Sequence, residues 1–187
     1  YTSGTYYGTL GDILALAVGG EYQNASAGTA TNQAAYGNFT SDLLFEKVLS
    51  NQGVFTFNAE YKRYWAQDLA ATQAGAVTGN PNGCFCMFDG TSVTAYALYL
   101  FPQEIGIGRF QPYGRYTYVN SVYNQGVDEF EGGVNYIIAG HNARISAYYR
   151  STAYAGIVSG NNTMLTSSPG GPGVHQDSVT VALQFQY

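Results

Sequence analysis

The chain has 187 residues and a formal net charge of −5, and only 10% of its residues are charged. Soluble globular proteins carry about 25% charged residues, so this composition indicates a surface that does not face water everywhere. The excess of acidic over basic residues argues against a nucleic-acid partner. The sequence contains no run of about 20 apolar residues, so a membrane-spanning helix is not predicted.

The first part of the chain alternates apolar and polar residues with period 2, which is typical of strands. Residues 1–11 are rich in Gly, Thr and Tyr and have neither an initiator Met nor an apolar leader, so we expect them to be the tail of a preceding element in a mature chain or a fragment. A strand is predicted over 12–23, followed by a polar loop over 24–35. A second strand is predicted over 36–47.

The third predicted strand, 53–64, sets Phe55 and Phe57 against Thr56 and Asn58 in strict alternation. A long loop is then predicted over 65–89. The fourth strand, 91–101, carries apolar residues in both alternating sets. Its pattern therefore does not decide which set faces which way.

The second half of the chain predicts four further strands. They cover 107–119, 126–138, 143–152 and 178–187, with loops over 120–125 and 153–173. The last of them alternates most regularly, because its apolar positions are Val179, Val181, Leu183, Phe185 and Tyr187. A strand that ends in an aromatic on its apolar face suits the aromatic girdle of a transmembrane barrel.

The predicted connections alternate in length, with loops after strands one, three, five and seven and tight turns after two, four and six. Bacterial outer-membrane barrels combine short periplasmic turns with longer extracellular loops. The sequence therefore predicts one all-β domain over 1–187, an antiparallel transmembrane β-barrel with about eight strands in this chain. A soluble sandwich of about eight strands is the alternative.

Four segments of the second half carry a family resemblance. They are 108–116 (GRFQPYGRY), 131–136 (EGGVNY), 141–149 (HNARISAYY) and 181–187 (VALQFQY). Their order resembles the C-terminal half of the phosphate-selective porin O and P family, over residues 107–187. The resemblance implies a 16-stranded, homotrimeric channel in the bacterial outer membrane, of which this chain would supply about eight strands.

The expected function is passive diffusion of small hydrophilic solutes through the outer membrane, with at most a mild preference for anions such as phosphate. The alternative is a small, closed eight-stranded barrel that serves as an anchor or adhesion module. Such a barrel has an interior only wide enough for side chains. Small residues at inward positions, such as Ala15, Ala17, Gly133 and Ala182, favour a wider barrel.

The candidate functional residues are charged side chains at predicted inward positions, because a Lys or Arg facing lipid at the midplane costs about 2 to 4 kcal/mol. One interpretation is that the arginines guide anions along the wall. The other is that Glu129 and Glu131 pair with them across strands and cancel their field. The predicted pore-lining residues are Lys62, Arg109, Arg115, Glu129, Glu131, Arg144 and Arg150.

Neither enzyme chemistry nor a cofactor is predicted. His141 and His175, expected in a turn and a loop, have no acidic or cysteine partner at a metal-ligand spacing, and no motif selects a nucleophilic serine. Cys84 and Cys86 are too few for a zinc site. They are expected to be thiols or a local disulfide, with a longer-range or intermolecular link and redox chemistry as alternatives.

Overall fold

A computed structural model describes residues 5–28, 33–66, 89–121, 126–155 and 174–186. These residues form one antiparallel sheet in which each strand pairs with the next along the chain. Its strands are β1 (Ile13–Gly28), β2 (Gln33–Val48), β3 (Val54–Ala66), β4 (Gly90–Leu100), β5 (Arg109–Ser121), β6 (Gly126–Ala139), β7 (Ala143–Ala155) and β8 (Val174–Phe185).

The sheet is open. Among the described residues β1 pairs only with β2 and β8 only with β7, so each leaves one edge without a strand partner. The prediction of an all-β antiparallel fold with eight strands is confirmed. No helix in the described ranges is long and apolar enough to cross a membrane.

Several strands are longer than predicted. The ladder of β1 and β2 continues through Ala27↔Ala34 and Gly28↔Gln33, where we expected a loop, because ladder hydrogen bonds need only backbone groups and not an apolar pattern. β3 likewise includes Trp65, and β8 begins at Val174, so that His175 lies in a strand and not in a loop.

The predicted alternation of long and short connections is therefore wrong in detail. The connections after β1 and β5 span only residues 29–32 and 122–125, whereas those after β2 and β4 span 49–53 and 101–108. Only the connections over 67–89 and 156–173 are long. We call the end of the sheet with connections 49–53, 101–108 and 140–142 the turn end, and the opposite end the loop end.

The strand registers sort the side chains onto two faces. Glu46 of β2 lies opposite Ile13 and Thr56, and the same face continues from Thr56 to Leu98 and Tyr113. We call this side the polar face and the other the apolar face. The register also decides the faces of β4, which its sequence pattern left open. Leu98 and Leu100 lie on the polar face, and the apolar face carries Val93, Ala95, Ala97 and Tyr99.

The apolar face is widely exposed, above all at the two edges. On β1 and β8 it presents side chains with relative exposures between 61% and 78%: Leu14, Leu16, Val18, Tyr22, Val179, Val181, Leu183 and Phe185. Contiguous exposed apolar surface of this kind is rare on soluble monomeric proteins.

The charges on the apolar face lie near the strand ends. Among the described strand residues they are Lys47, Arg63, Asp128 and Asp177. Lys47 pairs with Asp12 at 2.9 Å and Arg63 with Asp89 at 2.9 Å. The middle of this face therefore carries no charge in the described strands.

Aromatic side chains follow both borders of the uncharged band. At the turn end, Phe45 packs on Phe55 with ring centroids 6.3 Å apart, and Phe110 packs on Tyr136 at 5.0 Å. The Tyr136 hydroxyl also donates to the Ile105 carbonyl at 2.6 Å. Toward the loop end the band is bordered by aromatic residues that include Phe39, Tyr61, Trp65, Tyr116 and Tyr118.

Candidate functional site on the polar face

Two arginines and two glutamates form a cluster across three strands of the polar face. Arg115 on β5, Glu131 on β6 and Arg150 on β7 are directly opposite one another in the ladder. The Glu131 carboxylate accepts a hydrogen bond from Arg115 Nη2 at 2.9 Å and one from Arg150 Nη2 at 2.8 Å. We call Arg115, Glu129, Glu131 and Arg150 the charged cluster.

Glu129 completes the cluster toward the loop end. It accepts from Arg115 Nη2 at 3.0 Å and lies 3.7 Å from Arg150 Nε. The carboxylates are the more buried partners, because the Glu131 side chain is 6% exposed and those of Arg115 and Arg150 are 32% and 36% exposed. Two positive charges thus meet two negative charges, so the cluster as a whole is neutral.

The other two arginines of the predicted set lie nearer the turn end. Arg109 on β5 and Arg144 on β7 flank Ile137 on β6, which is directly opposite both. Arg144 Nη2 donates to Gln184 Oε1 at 2.7 Å. Within the described residues neither guanidinium is within ion-pair distance of a carboxylate, so their positive charge is not cancelled locally.

Lys62, the remaining predicted cation, lies on the polar face of β3 and pairs with Glu60 at 2.7 Å. Its charge is therefore compensated in the same way as those of Arg115 and Arg150. The structure thus brings four of the seven predicted residues together in the charged cluster and places Lys62, Arg109 and Arg144 elsewhere on the same face.

An uncharged network lies between the cluster and the turn end. Asn135 Nδ2 donates to Gln111 Oε1 at 3.1 Å, and Ser146 Oγ donates to Asn135 Oδ1 at 2.7 Å. All three side chains are buried. Because each buried polar group is paired, the network holds β5, β6 and β7 in one arrangement.

Gly133 lies between two tyrosines of this face and does not leave an empty position. A Cβ atom there would be 2.5 Å from Tyr148 Cβ and 2.6 Å from the Ala147 carbonyl oxygen, and 3.0 Å from Tyr113 Cε1. The Tyr113 hydroxyl donates to Glu131 Oε1 at 2.9 Å. The absence of a side chain at Gly133 therefore makes room for rings that support the charged cluster.

Thr5, Tyr7 and Gly8 of the segment 5–10 pack onto the polar face at the turn end, a placement that the sequence did not predict. Their anchor is Glu46, which is 0% exposed. Its carboxylate accepts from the Tyr6 amide at 2.9 Å, the Gly8 amide at 2.8 Å and the Thr5 hydroxyl at 2.9 Å. Thr56 of β3 donates to the same carboxylate at 2.9 Å.

Tyr7 attaches this segment to the strands beyond β3. It forms a buried apolar cluster with Val54, Leu100 and Ile137, and its ring lies 4.8 Å from the ring of His141. Tyr7 and Gly8 both have positive φ angles, of 55° and 76°. This bend directs the Tyr6 and Gly8 amides at the Glu46 carboxylate while the Tyr7 ring packs on the sheet.

Glu46, Thr56 and residues 5–10 were missed at the sequence level. The period-2 pattern gives the face of Glu46, but nothing in residues 5–10 indicates that their amides bind it. His141 lies in the β6–β7 turn as predicted and His175 in β8. Cys84 and Cys86 are outside the described residues, within which no group of three or more His, Cys, Asp or Glu side chains could hold a metal ion.

Comparison of the chain with protein-family models, curated proteins and solved structures gave no significant match.

Proposed function

We propose that this chain forms part of the wall of a bacterial outer-membrane channel, in which the apolar face contacts lipid and the polar face lines a water-filled lumen. The observation that supports this proposal best is the distribution of charge. In the described strands the charges on the apolar face are confined to the borders. The polar face carries most of the charges, including Lys and Arg side chains that a lipid-facing midplane would each disfavour by about 2 to 4 kcal/mol.

The height of the uncharged band supports the same proposal. On β8 it extends from Asp177 to Phe185, which is about 27 Å along a strand at ~3.4 Å per residue. At a strand tilt of about 40° this gives about 20 Å along the membrane normal, comparable to the band of about 25 Å in outer-membrane barrels. The aromatic residues at both borders correspond to the interfacial girdles of such barrels.

We propose further that the barrel is larger than these eight strands, with 16 strands as the resemblance implies. The edges of β1 and β8 that have no strand partner among the described residues support this, because an open strand edge is not tolerated within lipid. A closed eight-stranded anchor would instead need a ladder between β1 and β8, and none exists among the described residues.

The proposed solutes are small and hydrophilic, with at most a mild preference for anions. Because Arg115 and Arg150 are paired with Glu129 and Glu131, any preference would depend mainly on Arg109 and Arg144. No catalytic or cofactor role is part of the proposal.

Electrical recording tests the proposal. The full-length protein, purified from outer membranes, is added to a planar lipid bilayer at low concentration in a symmetric salt solution. We expect stepwise conductance increases, and a mock preparation from cells lacking the protein should give none. Absence of steps from folded protein would contradict the channel function.

A homotrimer is the proposed assembly, and the apolar face of β4 is a suitable contact surface because Val93, Ala95 and Ala97 are small and permit close approach. Mild detergent extraction followed by cross-linking tests the proposed homotrimer. A trimer band is expected, and migration as a monomer under the same conditions would contradict it.

A further inference from the structure

Tyr7 of residues 5–10 packs on the polar face near two arginines, Arg109 and Arg144, that have no carboxylate within ion-pair distance among the residues that the structure describes. Tyr7 clusters with Ile137, and Ile137 lies directly between Arg109 and Arg144 in the ladder. These two arginines, whose charge no described carboxylate compensates, and the chain segment packed against the sheet are therefore at the same end of the sheet.

The segment is held firmly enough to act as a fixed structure. Three of its donors bind the fully buried Glu46 carboxylate, and the Tyr7 amide donates to the Thr5 hydroxyl at 3.3 Å. Hydrogen bonds to a charged group are stronger than those between neutral groups, and leaving a buried charged group unpaired is costly. Release of the segment would have to break several of them together with the packing of Tyr7.

From these two observations we propose that residues 5–10 form a shelf that narrows the channel at the turn end, and that Arg109 and Arg144 beside this shelf are the residues that determine charge selectivity. The inference rests on the proposed function. A layer packed on a sheet stands about 10 Å from it, so the shelf reduces the lumen on this side. Where a channel is narrow and its walls have a low dielectric constant, field lines concentrate and a few charges have the largest effect.

The charged cluster gives an internal comparison. Arg115 and Arg150 are on the same two strands as Arg109 and Arg144, but their charges are cancelled by Glu129 and Glu131. If charge near the shelf determines selectivity, replacing Arg109 and Arg144 by Gln should change the ion selectivity more than replacing Arg115 and Arg150 by Gln. Each double replacement removes two positive charges.

The shelf is tested by polymer exclusion. Single-channel conductance is measured in the presence of polyethylene glycols of increasing size for the natural protein, for a variant lacking residues 5–8 and for Glu46→Ala. Asp42→Ala is the matched control, because it removes a carboxyl from the polar face of β2 away from the shelf. We expect the deletion and Glu46→Ala to raise conductance and admit larger polymers, and Asp42→Ala to leave the exclusion limit unchanged.

An unchanged exclusion limit in the folded deletion variant would overturn the shelf. If the deletion prevents folding, a bridging experiment replaces it. Tyr7→Cys and His141→Cys are joined by a short bifunctional thiol reagent in a background with Cys84→Ser and Cys86→Ser. Unchanged conductance after bridging is expected of a fixed shelf, and a fall in conductance would show that the segment normally leaves the wall and would overturn the inference.

Selectivity is tested by the reversal potential in a salt gradient. The double variant Arg109→Gln with Arg144→Gln should shift the reversal potential toward that of a cation-selective channel. This shift should be clearly larger than the one caused by Arg115→Gln with Arg150→Gln. Equal shifts from both double variants, or no shift from the first, would overturn the assignment. The failure of the proposed function is distinguishable, because in that case the natural protein would not conduct at all.

Discussion

The Glu131 carboxylate is joined to Arg150 by two hydrogen bonds, from Nε at 3.0 Å and from Nη2 at 2.8 Å. It also binds Arg115 at 2.9 Å. One acidic side chain on β6 therefore binds a guanidinium group on each of the two adjacent strands, and its replacement should affect both the stability and the electrostatics of the polar face.

Glu131→Gln should destabilise the folded protein and make the proposed channel more selective for anions. The substitution keeps the shape of the side chain but leaves Arg115 and Arg150 with Glu129 alone. A cost of about 1 to 3 kcal/mol is expected for a lost partner of a charged group, toward the lower value because both arginines are about one third exposed. Thermal unfolding in detergent and the reversal potential in a salt gradient measure the two effects.

Asp42→Asn is the control for that experiment. It removes one negative charge from the polar face, but in the described residues Asp42 has no ion pair. A shift of the reversal potential as large as that of Glu131→Gln would mean that net charge, and not the release of the two arginines, sets selectivity.

Gly133→Ala should destabilise the folded sheet although the change is small. The new Cβ would be 2.6 Å from the Ala147 carbonyl oxygen, and backbone cannot move as easily as a side chain. Overpacking of this kind costs about 1 to 3 kcal/mol. The fraction of protein that keeps its folded mobility on a gel after graded heating measures the loss.

The neighbouring substitution Gly132→Ala is a matched control, since among the described residues its Cβ would meet only the Phe130 ring, at 3.5 Å. This variant should unfold at nearly the temperature of the natural protein. If Gly132→Ala and Gly133→Ala unfolded at the same temperature, this would contradict the close approach of Tyr113 and Tyr148 over Gly133.

Asp12 should titrate below the usual range of an aspartate. A hydrogen bond from Lys47, followed by one from the Val48 amide, lowers the pKa of this exposed carboxyl group. Its contribution to stability is therefore present above the pKa of the unfolded chain and lost as the pH falls through the lower pKa of the folded state. Lys47→Met should raise the pKa of Asp12 part of the way back, as followed by carbon NMR of the labelled carboxyl group.

An unchanged titration of Asp12 in Lys47→Met would show that the Val48 amide alone sets its pKa. Lys62→Met serves as the control, because Lys62 pairs with Glu60 and its loss should leave Asp12 unaffected.

Period-2 patterning predicted most of the fold because each strand carries it independently of the others. It assigned the faces of β3, β5, β6 and β8 correctly, and the positions of Arg115, Glu131 and Arg150 on one face follow from it. For β4 it gave no assignment, because Leu98 and Leu100 are apolar residues on the polar face. Leu100 is only 1% exposed and packs with Tyr7, a contact that no local pattern contains.

The strand ends and residues 5–10 could not be predicted for a related reason. Ladder bonds at Ala27↔Ala34 depend on backbone groups of small residues, which the same pattern marks as a loop. The bond from the Gly8 amide to Glu46 joins residues 38 positions apart. Contacts of this range are set by the register of the whole sheet.

The proposal that the polar face lines a conducting lumen is tested most directly by current block at single introduced cysteines. Thr180→Cys on the polar face of β8 and Val181→Cys on its apolar face are prepared with Cys84→Ser and Cys86→Ser. Both are recorded in planar bilayers before and after addition of a charged, water-soluble thiol reagent. We predict that the reagent reduces the current through Thr180→Cys and leaves that through Val181→Cys unchanged, whereas equal sensitivity, or block at Val181→Cys alone, would contradict the assignment of the two faces.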